Sequence, residues 1–155
     1  MNKLDAVLDT SAIICLLEDE PGADLVEQKI AAAEAGNIKL GASFVSLTEL
    51  FYITHLSQGK ARAEEFVAVV KSWPMEIIFP DETLCLVAGE IKATQSVSLA
   101  DAFVAAIAQL TSAVLIHKDP EFEPLKGRSL CRRCRTNHPS RGHHAFANPP
   151  AWSEA

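Results

Sequence analysis

A chain of 155 residues, 48% of them hydrophobic, is long enough for one domain with a substantial core and too short for two ordinary domains. No apolar run reaches the roughly 20 residues of a membrane-spanning helix, and the early acids Asp5 and Asp9 exclude a signal peptide. We therefore expect a cytoplasmic protein without a membrane segment. The net charge of −6 argues against a basic face that binds nucleic acid passively.

Short apolar strands alternate with helical patterns along the chain. The predicted strands are Leu4–Leu8, Ile38–Ala42, Met75–Phe79 and Val114–His117. The predicted helices are Ala12–Asp19, Ala23–Ala35, Ser46–Gly59, Ala61–Lys71, Pro80–Thr94 and Ser98–Leu110. Strands separated by helices pair in parallel through right-handed crossovers. We predict a three-layer α/β/α sandwich with a central parallel sheet of about four to five strands.

The charge and composition change near residue 127. Residues 1–127 contain 9 basic and 19 acidic residues, a net charge of −10, whereas residues 128–155 contain 5 basic residues and one acidic residue, a net charge of +4. The second segment is rich in arginine and proline and has little apolar periodicity. We predict one domain over residues 1–127 and a basic, flexible tail over residues 128–155.

The cysteines fall into two groups. Cys15 and Cys85 lie in helical patterns and are predicted to be reduced core thiols. Cys131 and Cys134 form a CxxC motif in the tail, followed by histidines such as His138. A zinc site is the less favoured interpretation, because the Cys134–His138 spacing is short for a folded zinc loop and no apolar residues accompany it.

Four acidic residues are predicted to converge at one edge of the sheet. Asp9 and Asp119 follow the first and fourth strands, and Glu49 and Asp101 fall in the predicted first turns of two helices. Strand carboxyl ends and helix amino ends meet at the edge where parallel α/β sheets bind ligands. Clustered carboxylates repel one another unless a cation neutralises them. The pattern predicts a Mg²⁺ or Mn²⁺ site, whose ion can orient a phosphate and activate water.

Each acid also has a structural interpretation. Ser46–Glu49 and Ser98–Asp101 both match a capping box, in which the acid bonds back to the residue that opens the helix. Asp9 can cap the turn that follows it, and Asp119 precedes Pro120 in a turn-like sequence. The joint placement of four acids at one edge favours the metal site.

Four segments together resemble the PIN-domain nucleases, especially the VapC-like toxins of prokaryotic toxin–antitoxin pairs. They are AVLDTSAII, SLTEL, SLADAFVAAIA and VLIHKDPEF, and the similarity extends in order and spacing over residues 4–126. The resemblance implies catalytic, metal-binding acids at Asp9, Glu49, Asp101 and Asp119, with the family's small hydroxyl residue at Thr10 or Ser11. It also implies a Mg²⁺- or Mn²⁺-dependent endoribonuclease that acts on RNA, is usually a homodimer and is inhibited by a cognate antitoxin. Such domains generally end with a fifth strand, whereas this sequence continues into the basic tail.

Other functions fit the acids less well. A response-regulator phosphoacceptor domain needs an acidic pair after the first strand, where Asp9 stands alone. A phosphatase of the haloacid dehalogenase type needs a second acid two residues after the first, and that position is Ser11. A housekeeping RNA-processing nuclease and a non-catalytic PIN-like binding module remain as alternatives.

The remaining conspicuous residues have mainly structural interpretations. His55 and His117 are predicted to pack or to form hydrogen bonds at the sheet edge, and Lys118 either contacts phosphate or is solvated. The aromatic residues Phe51, Tyr52, Phe66 and Trp73 are expected in the core or at a partner interface. The apolar surface expected beside the site for a partner consists of Leu16, Leu17, Phe51 and Tyr52.

Overall fold

The computed structural model of the protein describes residues 2–118 and the backbone of residues 131–133. The strands are β1 (Ala6–Leu8), β2 (Leu40–Ser43), β3 (Met75–Ile78), β4 (Val114–His117) and β5 (Cys131–Arg133). The helices are α1 (Thr10–Leu17), α2 (Ala23–Glu34), α3 (Phe44–Gln58), α4 (Lys60–Ser72), α5 (Glu82–Thr94) and α6 (Leu99–Thr111).

In the described part of the chain, the strands form one parallel sheet in the order β3-β2-β1-β4-β5. Leu8 lies opposite Ala42 on β2 and Ile116 on β4, so the three central strands end at nearly the same level. The residues that follow them are thereby placed along one edge of the sheet. This architecture confirms the predicted three-layer sandwich.

Two hydrophobic cores lie on opposite faces of the sheet, because successive side chains of a strand point to opposite faces. Val7 and Leu115 pack with apolar residues of α5 and α6. Leu8 and Ile116, one position further along each strand, pack with apolar residues of α1 to α4. Helices therefore cover both faces of the central strands, which explains why β1 is buried at every position.

Helix α6 is the main buried helix of the first core, with apolar residues from Ala102 to Ala108 shielded from solvent. Within residues 2–118, no single helix is both long and apolar enough to cross a membrane. Helices α5 and α6 reach that length and composition only as a pair, and they are bent by 120° relative to each other.

Two helices begin earlier than the sequence predicts. Helix α3 is capped by Ser43, whose Oγ accepts a hydrogen bond from Val45 N at 3.3 Å, so β2 passes directly into the helix. Ser46 is buried inside α3, and Glu49 consequently lies in the second turn rather than the first. Helix α1 begins at Thr10, two residues before the predicted Ala12, and is capped by Asp9. The predicted capping box at Ser46–Glu49 is therefore wrong, whereas the capping role considered for Asp9 is confirmed.

The strand β5 corrects the interpretation of the first part of the tail. Cys131–Arg133 pair in parallel with β4, with Cys131 opposite Leu115 and Arg133 opposite His117. These three residues belong to the segment 128–155, which the sequence analysis predicts to be a flexible tail without a fifth strand. Backbone hydrogen bonds form a strand without apolar periodicity, which is why the composition of this segment did not reveal it. Residues 128–130 and 134–155 lie outside the described residues, so the domain boundary and the zinc interpretation remain untested.

The two described cysteines differ in exposure. Cys15 on α1 is buried and free, as predicted for a core thiol. Cys85 on α5 is also free but exposed, so its assignment to the core is wrong. Its neighbour Leu84 occupies the buried side of the helix, and a one-residue step of about 100° turns Cys85 toward solvent.

Candidate active site

Asp9 is the most buried of the three site acids that the structure describes. It follows β1, caps α1 and has only 3% of its surface exposed. Its Oδ2 accepts two hydrogen bonds from Ser11, one from the backbone N at 2.9 Å and one from Oγ at 2.5 Å. Burial raises the pKa of the Asp9 carboxyl from 3.8 to about 6, against the opposing effect of the Ser11 bonds. The negative charge of Asp101 contributes to the same rise in the pKa of Asp9, so these two acids lie close enough to repel each other.

Asp101 lies in the first turn of α6 and forms a capping box with Ser98. Asp101 N donates to Ser98 Oγ at 3.0 Å, and Asp101 Oδ2 accepts from Ser98 Oγ at 2.6 Å and from Ser98 N at 3.3 Å. The structural interpretation of this acid is thus confirmed. The box also holds the carboxylate in one orientation at the helix amino end, on the side of the sheet where Asp9 lies.

Glu49 reaches the same edge from α3. Its Oε2 accepts a hydrogen bond from Thr10 Oγ1 at 2.6 Å, and Thr10 is itself buried directly after Asp9. A residue of the second turn can reach this edge because its side chain points back toward the helix amino end. The structure therefore links Glu49 to Thr10, the residue after Asp9, and brings Asp101 within electrostatic range of Asp9.

Asp119, the fourth predicted acid, lies outside the described residues. The residue before it is anchored at the site, because Lys118 N donates to Ser11 Oγ at 2.9 Å. The Lys118 side chain forms an ion pair with Glu20, which lies between α1 and α2. The sequence predicts that Lys118 either contacts phosphate or is solvated, and it does not identify Glu20 as its partner. No local signal connects two residues that lie 98 positions apart in the chain.

The chemistry of the site suits a hard divalent cation. Asp9, Glu49 and Asp101 offer carboxylate oxygens, the ligands that Mg²⁺ and Mn²⁺ prefer. The pKa of Asp9, raised to about 6, indicates that the Ser11 hydrogen bonds compensate its charged form only in part, and a cation would compensate it further. Among residues 2–118, no three His, Cys, Asp or Glu side chains are arranged as a ready-made metal site.

An aromatic cluster that sequence analysis missed lies near the ends of β2 and β3. The Phe44 ring stacks against Phe79 at a centroid distance of 6.5 Å and meets Phe103 edge-on at 5.3 Å. Phe79 has 70% of its surface exposed, although its pattern predicted the end of a buried strand. Phe103 lies two residues after Asp101 on α6 and packs against the core formed by Val7, Leu115 and the apolar residues of α5 and α6.

The other conspicuous residues take structural positions. His117 is fully buried at the end of β4, in line with its predicted structural role, whereas His55 is exposed and its ring contacts Phe51 edge-on at 5.8 Å. Phe66 belongs to the core. Of the four residues expected at a partner surface, Leu16 is buried, Leu17 and Phe51 are half-buried, and Tyr52 is 48% exposed.

Comparison with known proteins places the chain in a family. The family model described as "PIN domain" matches residues 6–127. Similar solved structures include VapBC2 from Rickettsia felis bound to a promoter DNA fragment, at 18% identity and a TM-score of 0.67, and DNA-bound VapBC from Salmonella typhimurium, at 21% and 0.66. A third is VapBC-1 from nontypeable Haemophilus influenzae, at 23% and 0.61. In each case the match covers 84% of this chain and 98% of the other. A search of curated protein sequences gives no match.

At these identities the solved structures establish a shared fold. The family match covers most of the sequence, from the start of β1 to beyond Asp119. It includes all four acids that sequence analysis selected. The chain therefore belongs to the PIN-domain family.

Proposed function

We propose that this PIN-domain protein is a Mg²⁺- or Mn²⁺-dependent endoribonuclease and the toxin of a toxin–antitoxin pair. The observation that carries the proposal is Asp9, a buried acid with a pKa of about 6 beside Asp101 at the carboxyl edge of the sheet. A protein retains such a costly arrangement where a cation or a reaction uses it. Glu49 at the same edge supports this interpretation.

In this proposal, the metal is held by Asp9, Glu49, Asp101 and Asp119. The bound ion would polarise the scissile phosphate and lower the pKa of a bound water. Ser11 keeps the Asp9 carboxylate oriented and favours its charged form through two hydrogen bonds. Thr10 orients the Glu49 carboxylate with one hydrogen bond, and Ser98 orients the Asp101 carboxylate with two.

The proposed partners follow from charge and fold. An acidic chain approaches RNA only if cations offset its charge, so metal binding and RNA binding are expected to be coupled. Two further structures with this fold are a toxin–antitoxin complex from Klebsiella pneumoniae and VapBC-5 from Mycobacterium tuberculosis, a member of the VapBC family of toxin–antitoxin systems. We infer a cognate antitoxin here. An inserted Arg or Lys of that partner would pair with Asp9 or Asp101 and take the place of the cation. We further expect a homodimer and a cytoplasmic location.

A cleavage assay tests the catalytic proposal. Purified protein is incubated with single-stranded RNA in Mg²⁺, in Mn²⁺ and in EDTA, beside the variants Asp9→Asn and Asp101→Asn. We expect metal-dependent cleavage by the wild type and loss of most activity in both variants, with folding retained. Undiminished cleavage in EDTA would refute the mechanism, and a folded, metal-saturated wild type without activity would favour the non-catalytic binding module.

A growth assay tests the toxin assignment. Expression of the wild type without its partner should arrest growth, and Asp101→Asn should not. Co-expression of a small protein from the neighbouring reading frame should restore growth. Harmless overexpression of an enzyme that is active in vitro would instead favour the housekeeping RNA-processing nuclease.

A further inference from the structure

We propose that the Glu20–Lys118 ion pair is a positioning device for the acid site. It would hold Lys118, at the end of β4, at a constant position relative to Asp9, and through the hydrogen bonds from Lys118 to Ser11 and from Ser11 to Asp9 it would keep the Asp9 carboxylate aligned. The inference rests on the proposed nuclease function, because it is the reacting carboxylate of Asp9 that needs this alignment. It assigns a role to Glu20, which lies outside the acid set.

The Glu20 end of the pair is rigidly supported. Glu20 N donates to Cys15 O at 2.9 Å, and Glu20 O accepts from Ala23 N at 2.9 Å. The buried Cys15 thiol also contacts Glu20 O at 3.6 Å. The backbone of Glu20 is thereby joined to α1 on one side and to α2 on the other, so its carboxylate extends from an anchored point.

The Lys118 end is anchored directly to the site. Lys118 N donates to Ser11 Oγ at 2.9 Å, and the same hydroxyl donates to Asp9 Oδ2 at 2.5 Å. Two residues earlier in each segment, Asp9 N donates to Ile116 O at 3.0 Å. The ion pair therefore adds a third connection between α1 and the end of β4, beside the Ser11 bridge and the strand pairing.

The charge of Lys118 is already used within the protein. Lys118 is the only basic residue among those that directly follow β1 to β4, at positions 9–11, 44, 79–81 and 118. Its ammonium group lies on Glu20, and both side chains are partly shielded, with 31% and 42% exposure. An ammonium paired in this way is less available to a phosphate than a solvated one. The geometry thus favours positioning over direct substrate contact.

Partly exposed ion pairs contribute little to global stability. Misplacement of a reacting group by about 1 Å, in contrast, can reduce turnover by about 100-fold. We therefore expect loss of the pair to lower kcat by roughly tenfold while KM and the melting temperature change little. This combination separates a positioning residue from one that merely supports the fold.

A double-mutant cycle tests the proposal, with Glu20→Gln, Lys118→Gln and the double variant measured in the full-length chain. If the two residues act through each other, kcat falls about tenfold in each single variant and also about tenfold in the double variant. Independent effects would instead multiply to a loss of about 100-fold in the double variant. Lys118→Arg should retain most activity, because it preserves the pair. Glu64→Gln, which breaks the exposed Lys60–Glu64 pair, is the matched control and should leave kcat unchanged.

Hydrogen exchange provides a readout that needs neither metal nor activity. In EDTA, the amide of Lys118 should exchange faster in Glu20→Gln than in the wild type, because its bond to Ser11 opens more often. Unchanged exchange would overturn the proposal even if the protein proves not to be a nuclease. If Lys118 instead binds phosphate, Lys118→Gln should raise KM and Glu20→Gln should leave activity equal or higher. A wild type without metal-dependent cleavage but with faster exchange in Glu20→Gln would refute only the proposed function.

Discussion

Replacing Asp9 by Asn tests whether the site stores unfavourable charge. Asn has nearly the same shape as Asp and keeps a carbonyl oxygen that can accept from Ser11, but it carries no charge. In the folded wild type, the Asp9 carboxylate is buried and is repelled by Asp101. The substitution therefore removes a destabilising charge, and in the metal-free protein it should increase the free energy of unfolding at neutral pH.

The pKa shift sets the size and the pH dependence of the effect. A rise from 3.8 to about 6 corresponds to about 3 kcal/mol at about 1.4 kcal/mol per pH unit. Between these two values the folded state binds more protons than the unfolded state, so wild-type stability falls as pH rises. The full penalty applies above about pH 6 and none applies below 3.8. Asp9→Asn should thus be more stable than the wild type by up to about 3 kcal/mol at pH 8, with the difference shrinking toward pH 4.

Urea denaturation in EDTA at pH 4.5, 6 and 8 measures this difference. Thermal unfolding should show the same difference, because for a chain of this size a gain of about 3 kcal/mol in the free energy of unfolding raises the melting temperature by roughly 6 to 12 °C. Glu90→Gln, which neutralises an exposed acid on α5, is the control and should show no comparable trend. If Asp9→Asn is less stable than the wild type at pH 8, or if the difference does not depend on pH, the carboxylate stabilises the fold as a cap and the reasoning is wrong.

Other perturbations give distinct expected outcomes. Saturating Mg²⁺ or Mn²⁺ should stabilise the wild type by about 2.7 kcal/mol at 100 times the Kd and so raise its melting temperature, whereas Asp9→Asn should gain much less. Equal shifts in melting temperature would place the ion elsewhere. Thr10→Val removes the bond to Glu49 and should lower metal affinity or activity roughly 10- to 100-fold, measured by Mn²⁺ titration and cleavage, with an unchanged far-ultraviolet spectrum as control. Ser98→Ala removes the capping box of α6 and should cost about 1 kcal/mol in urea denaturation; no loss would mean that packing alone holds the helix start. Ending the chain after Gly127 deletes β5 and should lower the melting temperature, whereas ending it after Arg135 should not; equal melting temperatures would show that β5 contributes no stability.

The alternation of strands and helices was predictable because it depends on local spacing. Apolar residues at helical intervals and short apolar runs recur from β1 to β4, and each crossover between parallel strands requires a helix. The edge position of Asp9 follows from the same pattern, since it ends an apolar strand. The sequence alone therefore determined the sandwich and the edge at which a site would lie.

Local alternatives within a few residues were decided by tertiary structure. Both Ser43 and Ser46 are good helix caps, and Ser43 is the one that caps α3 because β2 ends there through its pairing with β3. The tail segment Cys131–Arg133 has no strand-like pattern, and it becomes β5 because β4 offers an unpaired edge. Exposure of Cys85 likewise depends on which side of α5 faces the core.

Connections between distant residues were decided only by the three-dimensional fold. The Thr10–Glu49 bond spans 39 residues and the Glu20–Lys118 pair spans 98, and neither leaves a periodic or compositional trace. The pKa of Asp9 likewise depends on burial under packed helices and on a neighbour from α6, which no local spacing encodes. Sequence thus specified which acids are present and where their elements end. The packing of α1, α3, α6 and β4 determined how Asp9, Glu49 and Asp101 are oriented and how far the pKa of Asp9 is raised, because hydrogen bonding and desolvation act through space and not along the chain.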